Sequence, residues 1–259
     1  LKLAVVTISF NQAQFLERNR LSVQAQGEDV QQIFVDPGST DGSREMIASW
    51  SGQPGVDAVL EPDAGPADGL NRGLSQVQCD LWLYLNADDE LAPGSVARIV
   101  EEHRTAPRVD VLIGNGWTID ENGEPIKYIR SDRFSPRRYA QGVGTVLQQA
   151  TSFKSRSTLG RFAFNAANRY NWDTEYLFDL HRAQASFGYS DASLGYFRLQ
   201  PSSITMSGRH DSRLAAERAR LIASVPRARL HRFVSPLARA AKFSRGKVTG
   251  TPSFGGLAR

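Results

Sequence analysis

The chain's most pointed chemistry is the acidic run Asp88-Asp89-Glu90, which follows Leu81-Trp82-Leu83-Tyr84-Leu85-Asn86-Ala87. Three neighbouring carboxylates repel one another unless a cation or hydrogen-bond donors lie among them. Carboxylate oxygens suit a hard cation such as Mg²⁺ or Mn²⁺, which usually bridges protein to substrate phosphates. The same acids would also serve as a cap for a helix beginning near Pro93, since negative charge favours helix N-termini. The apolar run before them reads as a strand buried on both faces, as in a parallel sheet. In open α/β sheets the ligand crevice lies at the carboxyl ends of the strands, which is where the acids fall.

The elements around that strand have a regular order. Leu3 to Phe10 is a β-branched strand, and Asn11 is a good N-cap for a helix over Gln12 to Gln26. Gln31 to Asp36 is a strand ending in the turn-rich Pro37-Gly38-Ser39-Thr40-Asp41-Gly42-Ser43, which feeds a helix through Trp50. Val56 to Glu61 is a third strand, a short helix precedes Leu81, and Pro93 to Arg104 is a helix with Pro in its first turn. Val109 to Gly114 is a further strand. Strands alternating with helices at this spacing imply βαβ units and a parallel sheet. Beyond them, Trp117 to Asp120 and Ile126 to Arg130 flank an Asn122-Gly123 hairpin signal. Residues 131–170 read as irregular. Tyr176, Leu177, Leu180, Ala183 and Phe187 fall on one face of a helix over 174–187, and Leu194 to Leu199 is a late strand. Two basic helices follow Asp211, broken at Pro226 and Pro236, and Thr249 to Arg259 reads as disordered.

Composition bounds the function. At 259 residues the chain can bury one full core. Its one cysteine, Cys79, excludes an internal disulfide and a cysteine-rich metal site, which fits a reducing compartment. The apolar run Leu3 to Phe10 is too short to span a bilayer and lacks a signal peptide's basic flank. The net charge of +4 is unevenly placed: Arg209 to Lys247 holds 11 Lys/Arg against 2 Asp/Glu, which with Arg259 leaves residues 1–208 at −6. The high pI therefore belongs to the tail, and no nucleic-acid partner is expected.

The motifs in this order resemble a family 2 glycosyltransferase with the GT-A fold. Matching stretches are Val5-Val6-Thr7-Ile8-Ser9-Phe10-Asn11, Asp36-Pro37-Gly38-Ser39-Thr40-Asp41-Gly42-Ser43, Glu61-Pro62-Asp63-Ala64-Gly65, Asn71-Arg72-Gly73 and Asn86-Ala87-Asp88-Asp89. Trp172-Asp173-Thr174-Glu175 and Gly195-Tyr196-Phe197-Arg198-Leu199 resemble the family's acceptor-side motifs. The resemblance covers residues 3 to 207. It implies an α/β, Rossmann-like, mostly parallel sheet flanked by helices, with a C-terminal basic helical extension. It divides the chain into a catalytic domain over 1–208 (nucleotide-sugar-binding half 1–114, acceptor-side half 115–208), the extension over 209–248 and a disordered 249–259.

By that resemblance Thr7, Ser9, Asn11, Asp36, Asp63, Arg72, Asn86, Ala87 and Asp88 bind a nucleotide-sugar donor, a UDP-sugar, with Mn²⁺ or Mg²⁺ on Asp88. Asp36, at a strand end, can accept from a uracil or ribose edge while the turn's backbone amides stay open, although Asp-Pro-Gly is also ordinary turn chemistry. Asp63 and Arg72 reach base and diphosphate, or are a surface turn and an exposed helical Arg. The first acid of the family's Asp-X-Asp motif is Asn86 here, which removes a charge from the metal site. The family inverts configuration, so one carboxylate on the acceptor side takes the acceptor hydroxyl's proton. Asp173 is the first choice and Glu175 the second, with helix capping the structural alternative for Asp173. Gln200 stands where many relatives carry a His, and His103, His181 and His231 match no ligand spacing.

The resemblance also implies a saccharide or lipid-linked acceptor in polysaccharide or glycolipid assembly, at the cytoplasmic face of the cell membrane. Residues 209–247 would then lie on an anionic leaflet, or their apolar residues would pack on the catalytic domain. Other classes lack their marks. A sugar-nucleotide pyrophosphorylase would show a Gly-rich basic loop where Ser9-Phe10-Asn11-Gln12 stands, and a dinucleotide oxidoreductase would show Gly-x-Gly-x-x-Gly. A non-catalytic nucleotide-sugar-binding or scaffold protein is the reading that Asn86 and Gln200 leave open.

Overall fold

The computed structural model describes residues 1–27, 29–200 and 211–226. Its first half runs β1 (Leu3–Ile8), α1 (Ala13–Gln24), β2 (Val30–Val35), α2 (Ser43–Trp50), β3 (Val56–Val59), α3 (Pro66–Leu74) and β4 (Leu81–Asn86). These strands lie parallel in the order β3-β2-β1-β4, as their alternation with helices requires. Their register is flush at the carboxyl end, where Ile8 pairs with both Val35 and Asn86 and Val35 pairs with Val59. Ser9, Asp36, Leu60 and Ala87 therefore emerge side by side.

The second half adds β5 (Glu90–Leu91), α4 (Ser95–Thr105), β6 (Val111–Ile119), β7 (Pro125–Ile129) and α5 (Pro136–Ala140). A single 3₁₀ turn (Gln148–Ala150), β8 (Thr151–Lys154), α6 (Ser155–Thr158), α7 (Trp172–Arg182), β9 (Phe187–Arg198) and α8 (Asp211–Ala223) complete it. The sheet continues as β4-β8-β6-β9-β5, with β7 on β6. Here it is mixed: β8 runs antiparallel to β4 and β6, and β6 is parallel to β9. The boundary expected at residues 114 and 115 falls inside β6.

β4 is buried on both faces, as its unbroken apolar run implies. Trp82 and Tyr84 pack with Val6, Ile33 and Leu70 and with Tyr176, Leu177 and Leu180 of α7. Leu81, Leu83 and Leu85 point the other way, onto Val23 of α1 and Val96 and Ile99 of α4. An aromatic layer of Trp82 stacked on Phe153 (4.3 Å) and Phe164 on Tyr176 (4.1 Å) ties α7 to the sheet.

Four expectations change. Residues 131–170 supply β8 in the middle of the sheet, a strand too short and too polar at Thr151-Ser152 to show a period. The strand expected to stop at Gly114 runs on to Ile119. Its glycines are there for close packing, since a Cβ on Gly116 would sit 2.0 Å from the Gly195 carbonyl oxygen. α7 stops at Arg182 and the chain turns through Gln184 (φ 61°), so Phe187 opens β9 instead of closing a helix. α8 packs as part of the fold: Leu221 and Val225 are buried against Phe178 and Ala140. The second basic helix and Thr249 to Arg259 lie outside the described residues.

Candidate active site

The loops after β1 and β2 are zipped together by side chains. The Asn11 N–H donates to Ser39 Oγ (2.8 Å), and Asn11 Oδ1 accepts the Thr40 N–H (2.9 Å). Asn11 sits in the left-handed region (φ 53°) and does not cap α1. The first amides of α1 are held by the neighbouring loop: Gln12 N–H by Ser43 Oγ and Ala13 N–H by Asp41. The result leaves Phe10 projecting, 60% exposed, at the rim.

Asp36 is fully buried and turned into its own loop. Oδ1 accepts the Gly38 and Ser39 N–H groups, and Oδ2 accepts the Ser39 hydroxyl. The amides expected to stay open are therefore closed on the carboxylate, and Asp36 shapes the rim. Thr7 is buried beneath the site, bonded to Asn19 and Gln32. Ser9 is buried beside it, and its hydroxyl has no hydrogen-bond partner among the described residues. Asp63 accepts the Gly65 N–H, and burial raises its carboxyl above the usual carboxylate range. Its Oδ2 occupies the space a Cβ on Gly69 would need. Arg72 pairs with Asp68 (3.3 Å) and Glu61 (3.5 Å) on the flank of α3.

The acidic run has its charges resolved by donors. Asp89 is fully buried: Oδ1 accepts the Arg198 N–H, and Oδ2 accepts the side-chain amides of Asn86 and Gln149. Glu90 pairs with Arg18 and with Arg198, whose guanidinium is fully buried. Arg198 also donates to the carbonyls of Asp88, Asp120 and Glu121 and lies over the Phe15 ring. None of the three acids caps α4, whose N-cap is Gly94 and whose first turn holds no acid. Ala87 is buried as the turn's apolar footing, its N–H on the Ile8 carbonyl. Asp88 alone keeps a carboxylate with a single side-chain donor, Gln200 Nε2 on Oδ2 (2.5 Å). Burial raises it above the usual range, an anion in want of positive charge.

Those residues fit a hard divalent cation. Among the described residues no cluster of three or more Asp, Glu, His or Cys side chains converges, and Asp88 is the carboxylate that would hold such an ion. A Mg²⁺-like ion bound by one or two carboxylates and completed by phosphates and water suits such a set. Of the described histidines, His103 is buried against Ser152, where burial and then Lys154 lower it to about 4, and His181 packs by Phe134 and Phe187.

On the acceptor side, Asn171 is the N-cap of α7 and Asp173 lies in its first turn, so Asp173 is not the cap. Asp173 Oδ1 accepts the Thr174 N–H (2.6 Å), and burial raises the carboxyl. The Trp172 ring lies 5.2 Å from that of Tyr84, which brings this turn to the end of β4. Glu175 faces away from an open role. It accepts from Asn165, Asn168 (2.7 Å) and Arg220 (2.7 Å), and these bonds outweigh burial and hold it below the usual range. A carboxylate so occupied is a poor base, and Glu175 is instead the knot joining α7, the loop before it and α8.

Sequence reasoning assigned no role to Arg198, Asn19 or Gln149. Asn19 left a trace: it lies among Phe15, Leu16, Ser22 and Val23 on the buried face of α1, and its amide donates to the carbonyls of Asn86 and Asp89.

The model of the family described as Glycosyl transferase family 2 matches residues 4–166. An uncharacterised glycosyltransferase of Mycobacterium tuberculosis is 34% identical over 59% of this chain and 58% of its own length. One of Nostoc sp. is 32% identical over 47% of this chain and 40% of its own. An undecaprenyl-phosphate 4-deoxy-4-formamido-L-arabinose transferase of Edwardsiella ictaluri is 26% identical over 57% of this chain and 42% of its own. The chain thus spans about 40 to 58% of these curated relatives' length. Among solved structures, S. aureus TarS with UDP-GlcNAc superposes with a TM-score of 0.66 at 15% identity, over 95% of this chain and 72% of that one. A mannosyltransferase of Pyrobaculum calidifontis with GDP-Man and Mn²⁺ gives 0.61 at 13%, over 95% and 76%. The fold is of the GT-A type, and the chain belongs to glycosyl transferase family 2.

Proposed function

We propose that the protein moves a sugar, with inversion, from a nucleoside diphosphate sugar to a hydroxyl acceptor, with Asp88 serving the diphosphate side and Asp173 the acceptor side. One observation carries this reading. Asp36, Asp89, Glu90 and Glu175 have their carboxylates engaged by several donors or by an arginine, whereas Asp88 is held by one amide and Asp173 by Thr174 alone. Asp88 lies at the end of β4 and Asp173 in the first turn of α7; Asp63, also lightly held, lies in the loop before α3.

A donor would lie along the flush strand ends, its base over the exposed Phe10 ring and its ribose and diphosphate passing Asn86 and Asp63 toward Asp88. Aromatic stacking on a base is sequence-tolerant and worth about 1–3 kcal/mol, so this rim accepts a uridine nucleotide without naming it. Asp88, with the amide oxygen of Gln200 if that side chain rotates, would hold the cation. When bound, a divalent cation supplies neutralisation of the charge growing on the leaving diphosphate. Asp173, half-buried with a raised pKa, takes the acceptor's proton as its oxygen attacks the face opposite the diphosphate. Curated relatives named for undecaprenyl phosphate support a lipid-linked acceptor in polysaccharide or glycolipid assembly.

Asp173→Asn separates this role from structure, because the amide keeps the size and the oxygen that accepts the Thr174 N–H. The variant should melt near wild type, bind donor normally and lose roughly 10²–10⁴-fold in kcat. Glu175→Gln should instead lower Tm through the lost Arg220 pair while sparing more turnover. Collapse of turnover in Glu175→Gln alone overturns the assignment. Donor binding without any transfer or hydrolysis by the wild type would favour a binding protein.

A further inference from the structure

Of the stretch Asn71-Arg72-Gly73, the chemistry above uses neither Asn71 nor Gly73. Both lie on α3, and Gly73 seats that helix on the sheet: a Cβ there would stand 2.5 Å from Val6 and 2.8 Å from Val35. Asn71 reaches instead to residues 159–171, the segment that leads from α6 into α7. Its Oδ1 accepts the Phe164 N–H (2.8 Å), and its Nδ2 donates to the Phe164 carbonyl (2.8 Å). One side chain thus exchanges both backbone bonds with Phe164, as a paired strand residue would. Residues 162–165 belong to no helix or strand. From Ala163 to Ala167 no other backbone group is bonded to another element among the described residues. Backbone groups left unpaired away from water are costly, so the course of this segment depends on Asn71.

From Phe164 the contacts run into α7. The Phe164 ring, 3% exposed, stacks on Tyr176 (4.1 Å) and meets Trp172 edge-on (5.3 Å). Trp172 and Asp173 are neighbours in the first turn of that helix. The rest of the segment is shaped by its own asparagines: Asn168 Oδ1 accepts the Tyr170 and Asn171 N–H groups, and Asn165 and Asn168 donate to Glu175. Those bonds tie the segment to α7 but not to the donor side. The tie to the donor side is α3, where the Arg169 stem also lies against Gly65, 3.7 Å from where a Cβ would stand. The same helix borders Asp63, whose Oδ2 fills the space beside Gly69.

We infer that Asn71 is a positioning residue for the acceptor side: by holding Phe164 it fixes the entry into α7, and so the place of Asp173 relative to the donor site. The catalytic consequence rests on the reading of Asp173 as the base, whereas the placement of the first turn of α7 does not.

The test is Asn71→Ala in the full chain. Amide hydrogen exchange, which needs no substrate, should quicken at least about tenfold over residues 162–174 while β1, β2 and β4 keep wild-type rates. Turnover, read as UDP release from UDP-glucose or UDP-GlcNAc with Mn²⁺, should lose roughly 10²-fold in kcat with donor KM unchanged, the size of effect a misplaced catalytic group gives. Made on top of Asp173→Asn, the same substitution should cost nothing further, since the group it aligns is gone. Asn71→Asp keeps the oxygen for the Phe164 N–H and loses the donation to its carbonyl. It should fall between the two, and it carries the test if the alanine variant does not fold. Unchanged exchange across residues 172–174 overturns the inference, as does a loss in kcat equally large with and without the Asp173 carboxylate. Should Asp173→Asn alone keep wild-type turnover, the base reading falls, and exchange by itself then decides the placement.

Discussion

At the residue scale the acidic run shows how three adjacent carboxylates are kept apart by use. Asp89 and Glu90 are bound by Arg198, Asn86, Gln149 and Arg18, and Asp88 keeps the least engaged carboxylate of the three. The sequence made the cluster visible but not this division, because it depends on groups arriving from up to 112 residues away. Arg198 is the clearest instance: the sequence placed it only within the Gly195–Leu199 motif, and the structure makes it the fully buried brace of the acidic turn. The division yields a prediction. Asp88→Ala removes a carboxylate whose ionisation burial already disfavours, so Tm should not fall sharply. UDP binding measured calorimetrically should weaken at least 10- to 100-fold with Mg²⁺ present, roughly the cost of losing even an outer-shell metal partner, and little without it. Equal weakening in both conditions would make Asp88 a structural acid.

At the element scale the parallel half was legible because its strands and helices alternate and its strands are unbroken apolar runs. The mixed half was not. β8 has four residues and two hydroxyl side chains, and its place between β4 and β6 is set by long-range pairing that no local pattern records. α8 is the other element whose role needed the structure. Its Arg-rich face suggested a membrane surface, yet Leu221 is 1% exposed and Arg220 reaches Glu175, so the helix closes the back of α7. Leu221→Ala should therefore cost about 2–5 kcal/mol, the range for a buried leucine lost from a packed core. Denaturant unfolding with an unchanged m-value would measure it. A loss within about 0.5 kcal/mol, the size expected of a surface substitution, would return α8 to the role of a detachable arm.

At the scale of the whole molecule the charge is divided between an acidic body and a basic tail, and the docking of α8 moves the dividing line. Among the described residues no helix is long and apolar enough to cross a membrane. The basic sequence after α8 is a candidate for membrane contact: Arg227 to Lys247 carry seven Lys/Arg and no acid, interspersed with Leu230, Phe233, Val234, Leu237 and Phe243. Each basic residue near an anionic leaflet contributes about 1 kcal/mol, and the attraction fades within a Debye length of about 10 Å at 0.1 M salt. The full chain should accordingly co-sediment with phosphatidylglycerol-containing vesicles at low salt, release in 1 M salt, and ignore pure phosphatidylcholine. Replacing Arg227, Arg229 and Arg232 with Glu should abolish that binding while leaving Tm and donor turnover in solution unchanged if the tail acts only on the membrane, because all three follow α8 in the sequence. If the wild type ignores anionic vesicles at low salt and the charge-reversed variant melts early, the tail's basic residues serve packing on the acidic body.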